Sequence, residues 1–172
     1  MPKLPKSKGA MAALVAGVAV LAAMAALIVM STVIHPNVHA VRMHVETPNS
    51  DGTTPTLVNF HALDEGHKDH TYATTGEDNT FYVEPGDYEV RFIPTVNADR
   101  TSYKDYRLSY TVVDGDNADI SCRLDPDNAP LSRVELTHLY NKVIQLEPTA
   151  ASTDLRGVGT YVKNVGNLIV AD

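Results

Sequence analysis

The pattern of hydrophobic and polar residues divides the chain into two parts. Residues 9–34 contain no ionisable side chain and consist mostly of Ala, Val, Leu, Ile and Met. From Val38 onward, apolar and polar residues alternate, and clusters of turn-forming residues recur at short intervals. The first pattern predicts one long apolar helix, and the second predicts a series of short β-strands.

The apolar run is long enough to cross a hydrocarbon core of about 30 Å as a tilted helix. Pro36 marks its end, because the residue before a proline disfavours helical backbone. Lys3, Lys6 and Lys8 precede the run, and their positive charge predicts a cytoplasmic N-terminus with the rest of the chain outside the membrane. The predicted segments are a cytoplasmic tail (1–8), a transmembrane helix (9–35) and a linker (36–40).

The sequence allows the apolar run either to be retained as an anchor or to be removed by cleavage. It exceeds the roughly 7 to 15 residues of a signal-peptide core, which favours an uncleaved single-pass anchor in the cell membrane. Val38-His39-Ala40 has the small residues of a cleavage site, so cleavage after Ala40 remains an alternative. Gly9, Ala13 and Gly17 lie four residues apart. Such a face permits self-association of helices in the bilayer.

The alternating part predicts an all-β antiparallel sandwich, prealbumin-like or immunoglobulin-like, over residues 41–146. Pro85-Gly86 predicts a type II turn with positive φ at Gly86. No helix is predicted beyond the membrane segment, although residues 131–140 come nearest to one. The C-terminal extension 147–172 is predicted to hold extra strands or a loosely ordered tail. The strand candidates are 41–45, 57–63, a short strand at Tyr72, 81–83, 88–92, 103–112, 120–124, 134–136, 143–146, 158–162 and 168–170.

One segment resembles a known family motif. Residues 80–90 read TFYVEPGDYEV, which is similar to prealbumin-like sandwiches, the carboxypeptidase-regulatory-like and Cna-B-type repeats of bacterial surface proteins. In those repeats a strand runs into a Pro-Gly corner followed by Tyr-x-Val. The resemblance covers residues 40–124 and implies a spacer, stalk or binding module. Arg42 occupies the first strand, which has no Lys, so the Lys–Asn crosslink of some Cna-B modules is not expected.

A second resemblance concerns the N-terminus. Lys8-Gly9 followed by an uncharged helix is similar to a type IV prepilin leader that is cleaved after Gly9. In that family the apolar helix packs into a filament core and a β domain faces outward. Leu14 stands where the mature pilin usually carries Glu. A pilin-like filament subunit is therefore the alternative to a membrane-anchored module.

Charge and cysteine content limit the partners and the covalent bonds expected of the domain. The net charge is −7, and it becomes −10 when the three N-terminal lysines are set aside. Such an acidic domain argues against nucleic acid as a partner. Cys122 is the single cysteine, so no internal disulfide can form. It alternates with Ile120 and Leu124, and we expect it to be buried.

The densest group of metal-ligand residues lies in 64–70, where His67 and His70 stand among carboxylates. Lys68 opposes a cation and a loop fixes no geometry, so we predict a solvated loop, with metal binding left open. The acidic residues of 114–119 alternate as in calcium loops, but Asp119 and Asp125 occupy the positions that require Gly and Glu. We predict a hairpin turn there instead.

No further chemistry is predicted from the remaining motifs. The chain has no Gly-x-Ser-x-Gly and no Ser-x-x-Lys motif, so we expect no catalytic residue, no cofactor and no enzyme activity. Tyr103, Tyr106 and Tyr110 are expected to form a half-buried packing stripe. Three histidines near the membrane exit are expected at the surface; they are His35, His39 and His44.

The sequence thus predicts a membrane-anchored extracytoplasmic β-sandwich with a structural or protein-binding role in a bacterial-type cell envelope. The expected partners are the lipid bilayer and either another protein or a second copy bound through the membrane helix.

Overall fold

The computed structural model describes residues 37–146 and 150–171. The fold described here belongs to one compact unit, Val38–Asp172. The transmembrane helix predicted over 9–35 lies outside the described residues. In the ranges described, no helix is both long and apolar enough to cross a membrane.

The described ranges contain strands followed by a helical region. The strands are β1 (His39–Glu46), β2 (Leu57–Ala62), β3 (Asp69–Ala73), β4 (Asp78–Val83), β5 (Gly86–Ile93), β6 (Ser102–Tyr103), β7 (Tyr106–Val112), β8 (Ile120–Arg123), β9 (Pro126–Asp127) and β10 (Ala150–Thr153). The helices are α1 (Arg133–Leu146) and α2 (Leu155–Val170).

Eight of these strands form two sheets. The smaller sheet has the order β4-β1-β8, and the larger has the order β10-β3-β2-β5-β7. β6 and β9 form a separate two-stranded pair. Most pairings are antiparallel, but β1 pairs with β8 and β3 pairs with β10 in parallel. The predicted all-β antiparallel sandwich is thus confirmed in part: the sheets are mainly antiparallel, but two helices accompany them.

One hydrophobic core lies between the two sheets. On β1, Val41, Met43 and Val45 are buried and alternate with more exposed residues, as the period-two pattern predicts. They pack in a single cluster with Phe60 of β2 and Tyr88 of β5, which belong to the larger sheet. Both sheets therefore contribute one face to a shared core, which is the arrangement of a β-sandwich.

A second core covers the opposite face of the larger sheet. Leu57 of β2 belongs to this cluster, whereas its neighbour Val58 belongs to the first, and neither is exposed. The helices supply the other side, including Leu136 of α1 and Tyr161 of α2. The larger sheet is buried on both faces here, which explains why the adjacent residues Leu57 and Val58 are both apolar.

The prediction that strands follow residue 131 is wrong for most of this region. Residues 134–136 and 143–146 lie in α1, and 158–162 and 168–170 lie in α2. The buried residues Val158, Tyr161 and Val165 recur at helical spacing, and their β-branched and aromatic side chains obscure that period. The short strand β10 is the part of the extension that does extend a sheet.

Two predicted turns are corners between sheets. β4 belongs to the smaller sheet and β5 to the larger, so Pro85-Gly86 connects the two sheets. The predicted type II turn is wrong, because Gly86 does not have the positive φ that this turn requires. β7 and β8 also belong to different sheets, so 114–119 does not close the predicted hairpin. Predicted strand 103–112 is likewise divided into β6 and β7.

Candidate functional site: a threonine-lined cavity

A cavity of about 670 Å³ opens at one end of the larger sheet. Its walls come from the β1–β2 loop, the β3–β4 loop, the segment after β5 and the first turns of α2. Eight of the seventeen described lining residues are threonines, and the apolar side chains among them are those of Pro55 and Ala73. The wall therefore carries mostly small side chains that expose polar and apolar surface in similar amounts.

One threonine in this wall has an unusual environment. Thr56 is only 2% exposed, and its Oγ1 has no hydrogen-bond partner among the described residues. Its backbone is engaged, because the Thr56 N–H donates to Thr74 Oγ1 and its carbonyl accepts from the Thr74 N–H. A buried hydroxyl without a partner is destabilising, and this oxygen has almost no accessible surface, so it does not face the open cavity.

Two other threonines of the wall form hydrogen bonds within the fold and stabilise the wall. The hydroxyls of Thr54 and Thr95 lie 2.9 Å apart, and both residues are nearly fully buried. Thr54 Oγ1 also accepts from the Val96 N–H, and Thr95 Oγ1 donates to the Thr54 carbonyl. These bonds join the β1–β2 loop to the segment that follows β5.

Asp51 further anchors the β1–β2 loop. Its carboxylate accepts from the Thr53 N–H at 2.8 Å and from the Ala98 N–H at 2.7 Å. Partial burial favours the neutral acid, but these backbone hydrogen bonds outweigh it and lower the pKa of Asp51. Gly52 follows with φ 71°, a left-handed conformation that glycine adopts without steric cost. The loop that carries Thr53 to Thr56 is thus held in one conformation.

The start of α2 forms the opposite wall. Asp154 caps the helix by accepting from the Gly157 N–H at 2.9 Å. The N–H groups of Leu155 and Arg156 precede the first intrahelical bond, which Val158 donates to the Asp154 carbonyl. Outside the cavity, Asn164 of α2 donates to the Thr53 carbonyl at 2.5 Å and so joins the helix to the β1–β2 loop.

The cavity carries charges of both signs, with one more negative than positive side chain. Glu77 and Asp154 supply two carboxylates, and Arg156 supplies one guanidinium that forms no ion pair with a described residue. The N-terminal end of α2 adds a partial positive charge of about half a unit. The site therefore offers both hydrogen-bond donors and acceptors.

The side chains of the possible metal-ligand cluster in residues 64–70 do not come together at one point. Asp69 and His70 lie on β3, where consecutive side chains point to opposite faces. Asp69 is bonded to His61 at 3.1 Å and to the Ala62 N–H, while His67 is bonded to Asp64 at 2.8 Å. No group of three His, Cys, Asp or Glu within the described residues could hold a metal ion. The prediction of a solvated loop is wrong for Asp69 and His70, which are buried.

His70 lies inside the sandwich. It is 1% exposed, stacks on Tyr72, and has no hydrogen-bond partner for either ring nitrogen among the described residues. Glu84 Oε2 lies 4.0 Å from His70 Nε2. Burial lowers the pKa of His70, because an imidazolium would lose its hydration there.

The other residues considered as functional candidates take part in packing or in hydrogen bonds within the fold. Cys122 is a free, buried thiol, as predicted, and burial raises its pKa to about 11. Tyr103 is buried on β6, Tyr106 is exposed and Tyr110 is half-buried on β7, so the predicted half-buried stripe on one strand is wrong. His44 is paired with Asp78 at 2.7 Å, and this hydrogen bond raises the pKa of His44.

The sequence did not point to the cavity. Its residues come from segments far apart in the chain, such as 53–56, 74–77 and 154–160. The one local signal is the clustering of threonines at strand ends, in Thr53-Thr54-Pro55-Thr56 and Thr74-Thr75. Threonine clusters of this kind also occur in ordinary turns, so only the fold brings them together.

The described residues define the class of protein as a mostly β sandwich with a helical layer on its larger sheet. No family model matches the chain, and no curated protein matches it. Among solved structures, a candidate adhesin from Bacteroides ovatus aligns with a TM-score of 0.40 and 10% identity, over 54% of this chain and 45% of that chain. The chain thus spans less than half the length of that protein, and the likeness is too weak to carry an argument.

Proposed function

We propose that the protein is a membrane-anchored extracytoplasmic binding module of a bacterial-type cell envelope. The observation that carries this proposal is the threonine-lined cavity, whose loops are held by a rigid sandwich. Binding residues are often placed on loops that a stable scaffold positions. The apolar run and its preceding lysines supply the membrane anchor and its orientation in this proposal.

The membrane orientation is tested by labelling single cysteines in intact cells with a membrane-impermeant maleimide. Asp116 is exposed in the β7–β8 connection, so Asp116→Cys reports on the folded domain. Ser7→Cys reports on the N-terminal tail. Cys122 is buried and should remain silent in the unmodified protein. We expect Asp116→Cys to be labelled in intact cells and Ser7→Cys only after lysis; the reverse pattern would refute an extracytoplasmic domain.

The same cells provide the mature N-terminus, which separates the anchor from its alternatives. An intact start supports the anchor proposed here. A start at Ala10 supports a pilin-like subunit, and a start at Val41 supports a secreted domain. A start at Val41 would overturn the membrane anchor, and a start at Ala10 would replace it with the pilin-like alternative.

A further inference from the structure

The larger sheet ends on one side in a long strand with an open edge. β7 (Tyr106–Val112) has seven residues and pairs only with β5 among the described residues. The other end strands of the two sheets are shorter, because β4 has six residues and β8 and β10 have four each. The edge of β4 is also partly covered, since the Tyr72 hydroxyl donates to the Tyr82 carbonyl. β7 is therefore the longest open edge in the described part of the fold.

The direction of the backbone groups along β7 follows from the neighbouring strands. The Leu63 N–H donates to the Asp87 carbonyl at 3.0 Å, so Asp87 directs its backbone groups toward β2. Successive residues of a strand alternate in this direction, so Tyr88 directs its groups toward β7, where it lies opposite Tyr110. Tyr110 therefore bonds to β5, and the residues on either side of it point away from β5. The residues of β7 whose backbone groups point outward are Arg107, Ser109 and Thr111.

β7 lacks the features that usually prevent an edge strand from pairing with another chain. Such strands are commonly short, interrupted by a bulge, or supplied with proline or lysine. β7 contains neither proline nor lysine, and it pairs with β5 in register along its whole length. Apolar surface is exposed at both ends, on Tyr106 (37%) and on Val113 (46%) just beyond the strand. An edge of this kind is suited to the addition of another strand.

The sequence of β7 matches a second copy of itself in antiparallel pairing. When Ser109 lies on the two-fold axis, all seven residues overlap and the outward-pointing backbone groups face each other. These groups can form about six hydrogen bonds, two for each facing pair. On the inner face of the sheet, Leu108 then meets Tyr110 of the second copy. Tyr106 meets Val112 of the second copy in the same way, and apolar pairs of this kind stabilise sheets.

Charge complementarity supports the same register on the outer face of the sheet. Arg107 then faces Thr111 of the second copy, and the Thr111 hydroxyl donates to Asp87 on the adjacent strand at 2.5 Å. The Arg107 side chain is 75% exposed and is long enough to reach that Asp87 carboxylate. Within its own chain Arg107 lies 3.7 Å from Glu89, which Arg91 already binds at 2.5 Å. The Arg107 guanidinium therefore keeps donors for a second carboxylate.

We propose that a second copy of this chain docks on β7, so that the two larger sheets join through an antiparallel β7–β7 pair centred on Ser109. The interface closes on itself, because each copy contributes the same edge. The docking surface shares no residue with the threonine-lined cavity and is independent of the membrane location proposed above. It belongs to the folded domain and so differs from the apolar face at residues 9–17.

Disulfide crosslinking tests the register of the pair. The variants are made in the full-length chain and purified in a polyoxyethylene detergent, with the buried Cys122 left in place. In the proposed pair the two Ser109 Cα atoms lie about 5.5 Å apart, a separation that a disulfide spans. Ser109→Cys should therefore form a covalent dimer on oxidation. Thr111→Cys is the matched control on the same edge, because its two copies would lie roughly 14 Å apart and should stay unlinked.

Analytical ultracentrifugation of the same preparations tests whether β7 forms the dimer. Ser109→Pro removes an outward-pointing N–H and no bond to β5, so we expect dimerisation to weaken about tenfold or more while the fold is kept. Arg107→Glu should also weaken it about tenfold, because Glu would repel Asp87 of the second copy. Adding Asp87→Arg to that variant exchanges the two charges and should restore the dimer. Circular dichroism and the thermal unfolding midpoint show that each variant is folded.

The proposal is supported by a dimer that Ser109→Cys crosslinks, that Thr111→Cys does not, and that the charge exchange restores. It is overturned if the unmodified chain is monomeric or if the two cysteine variants crosslink equally. It is also overturned if folded Ser109→Pro dimerises as tightly as the unmodified chain, since the dimer would then form through another surface. Should Ser109→Pro fail to fold, the exposed change Arg107→Glu decides the same question.

Discussion

Gly157 of α2 and Ala73 of β3 approach so closely that a Cβ placed on Gly157 would lie 2.2 Å from the Ala73 Cβ. The same added atom would lie 2.5 Å from Asp154 Oδ2, which belongs to the helix cap. Both residues line the cavity. The absence of a side chain at Gly157 therefore permits the contact between helix and sheet that forms one of the cavity walls.

Gly157→Ala should destabilise the fold. The added methyl group must displace either the start of α2 or strand β3, and such overpacking typically costs about 1–3 kcal/mol. Gly159→Ala is the matched control, because nothing lies within 4 Å of its added Cβ. In the control, the better helix propensity of Ala should raise stability by up to about 1 kcal/mol. Urea unfolding measures both, and equal effects of the two changes would contradict the close contact.

Tyr161→Phe should also destabilise the protein. The Tyr161 hydroxyl is buried and donates to the Pro94 carbonyl at 2.9 Å, which joins α2 to the end of β5. Removing it leaves that carbonyl without its partner, at a cost of about 1–3 kcal/mol. Tyr106→Phe is the control, since Tyr106 is 37% exposed. Chemical denaturation should show a loss for Tyr161→Phe alone, and a comparable loss for both would refute the role of this bond.

His70 should make the protein less stable at mildly acidic pH. The unfolded chain binds a proton at His70 near pH 6.5, whereas burial lowers the pKa of His70 in the folded state. As the pH falls through about 6.5, protonation therefore favours the unfolded state, with a slope of up to about 1.4 kcal/mol per pH unit. The loss ends below the folded pKa, where both states are protonated.

His70→Phe tests this pH dependence because Phe preserves the ring contacts of this site. The charged and titratable groups around His70 are Glu84, Asp69, His67, Tyr72 and Tyr88. Thermal unfolding midpoints between about pH 5 and 7.5 should fall less steeply in the variant than in the unmodified protein. His44 contributes the opposite sign, because its pKa is raised, and it is unchanged in both proteins. Parallel pH profiles would contradict the prediction.

Cys122 should be unreactive toward thiol reagents in the folded protein. Burial limits access to its sulfur, and a pKa of about 11 leaves little thiolate near neutral pH. Addition of a denaturant should expose one thiol that reacts rapidly with Ellman's reagent. Rapid reaction without denaturant would show that β8 opens readily or that Cys122 is accessible.

The sequence determined the strands whose side chains alternate between core and solvent. Strands β1, β4, β5 and β8 were predictable because each buries one face against the opposing sheet, and a single buried face leaves a period-two pattern. The burial of Cys122 followed from the same alternation. Local chemistry also marked the Pro85-Gly86 corner, although not which sheets it connects.

The helices were missed because their local signals were weaker than their strand propensity. Ser132 and Glu135 form a reciprocal capping box at the start of α1, with the Ser132 N–H donating to Glu135 Oε2 at 2.7 Å. Asp154 plays the capping role for α2. The helices are stabilised mainly by packing on the outer face of the larger sheet. Because that face forms only in the folded protein, the sequence pattern does not reveal it.

Only the tertiary structure decided how the strands divide between two sheets and where the cavity lies. Strand pairing depends on contacts between residues far apart in the chain, such as Met43 with Ile120 in the parallel β1–β8 pair. The cavity likewise joins Thr56, Glu77 and Arg156, whose neighbours in sequence resemble ordinary turns and helix starts. The sequence alone determined the local periodicity of the strands, because periodicity depends on neighbouring residues. The cavity depends on long-range packing, because only the fold brings its distant lining residues together.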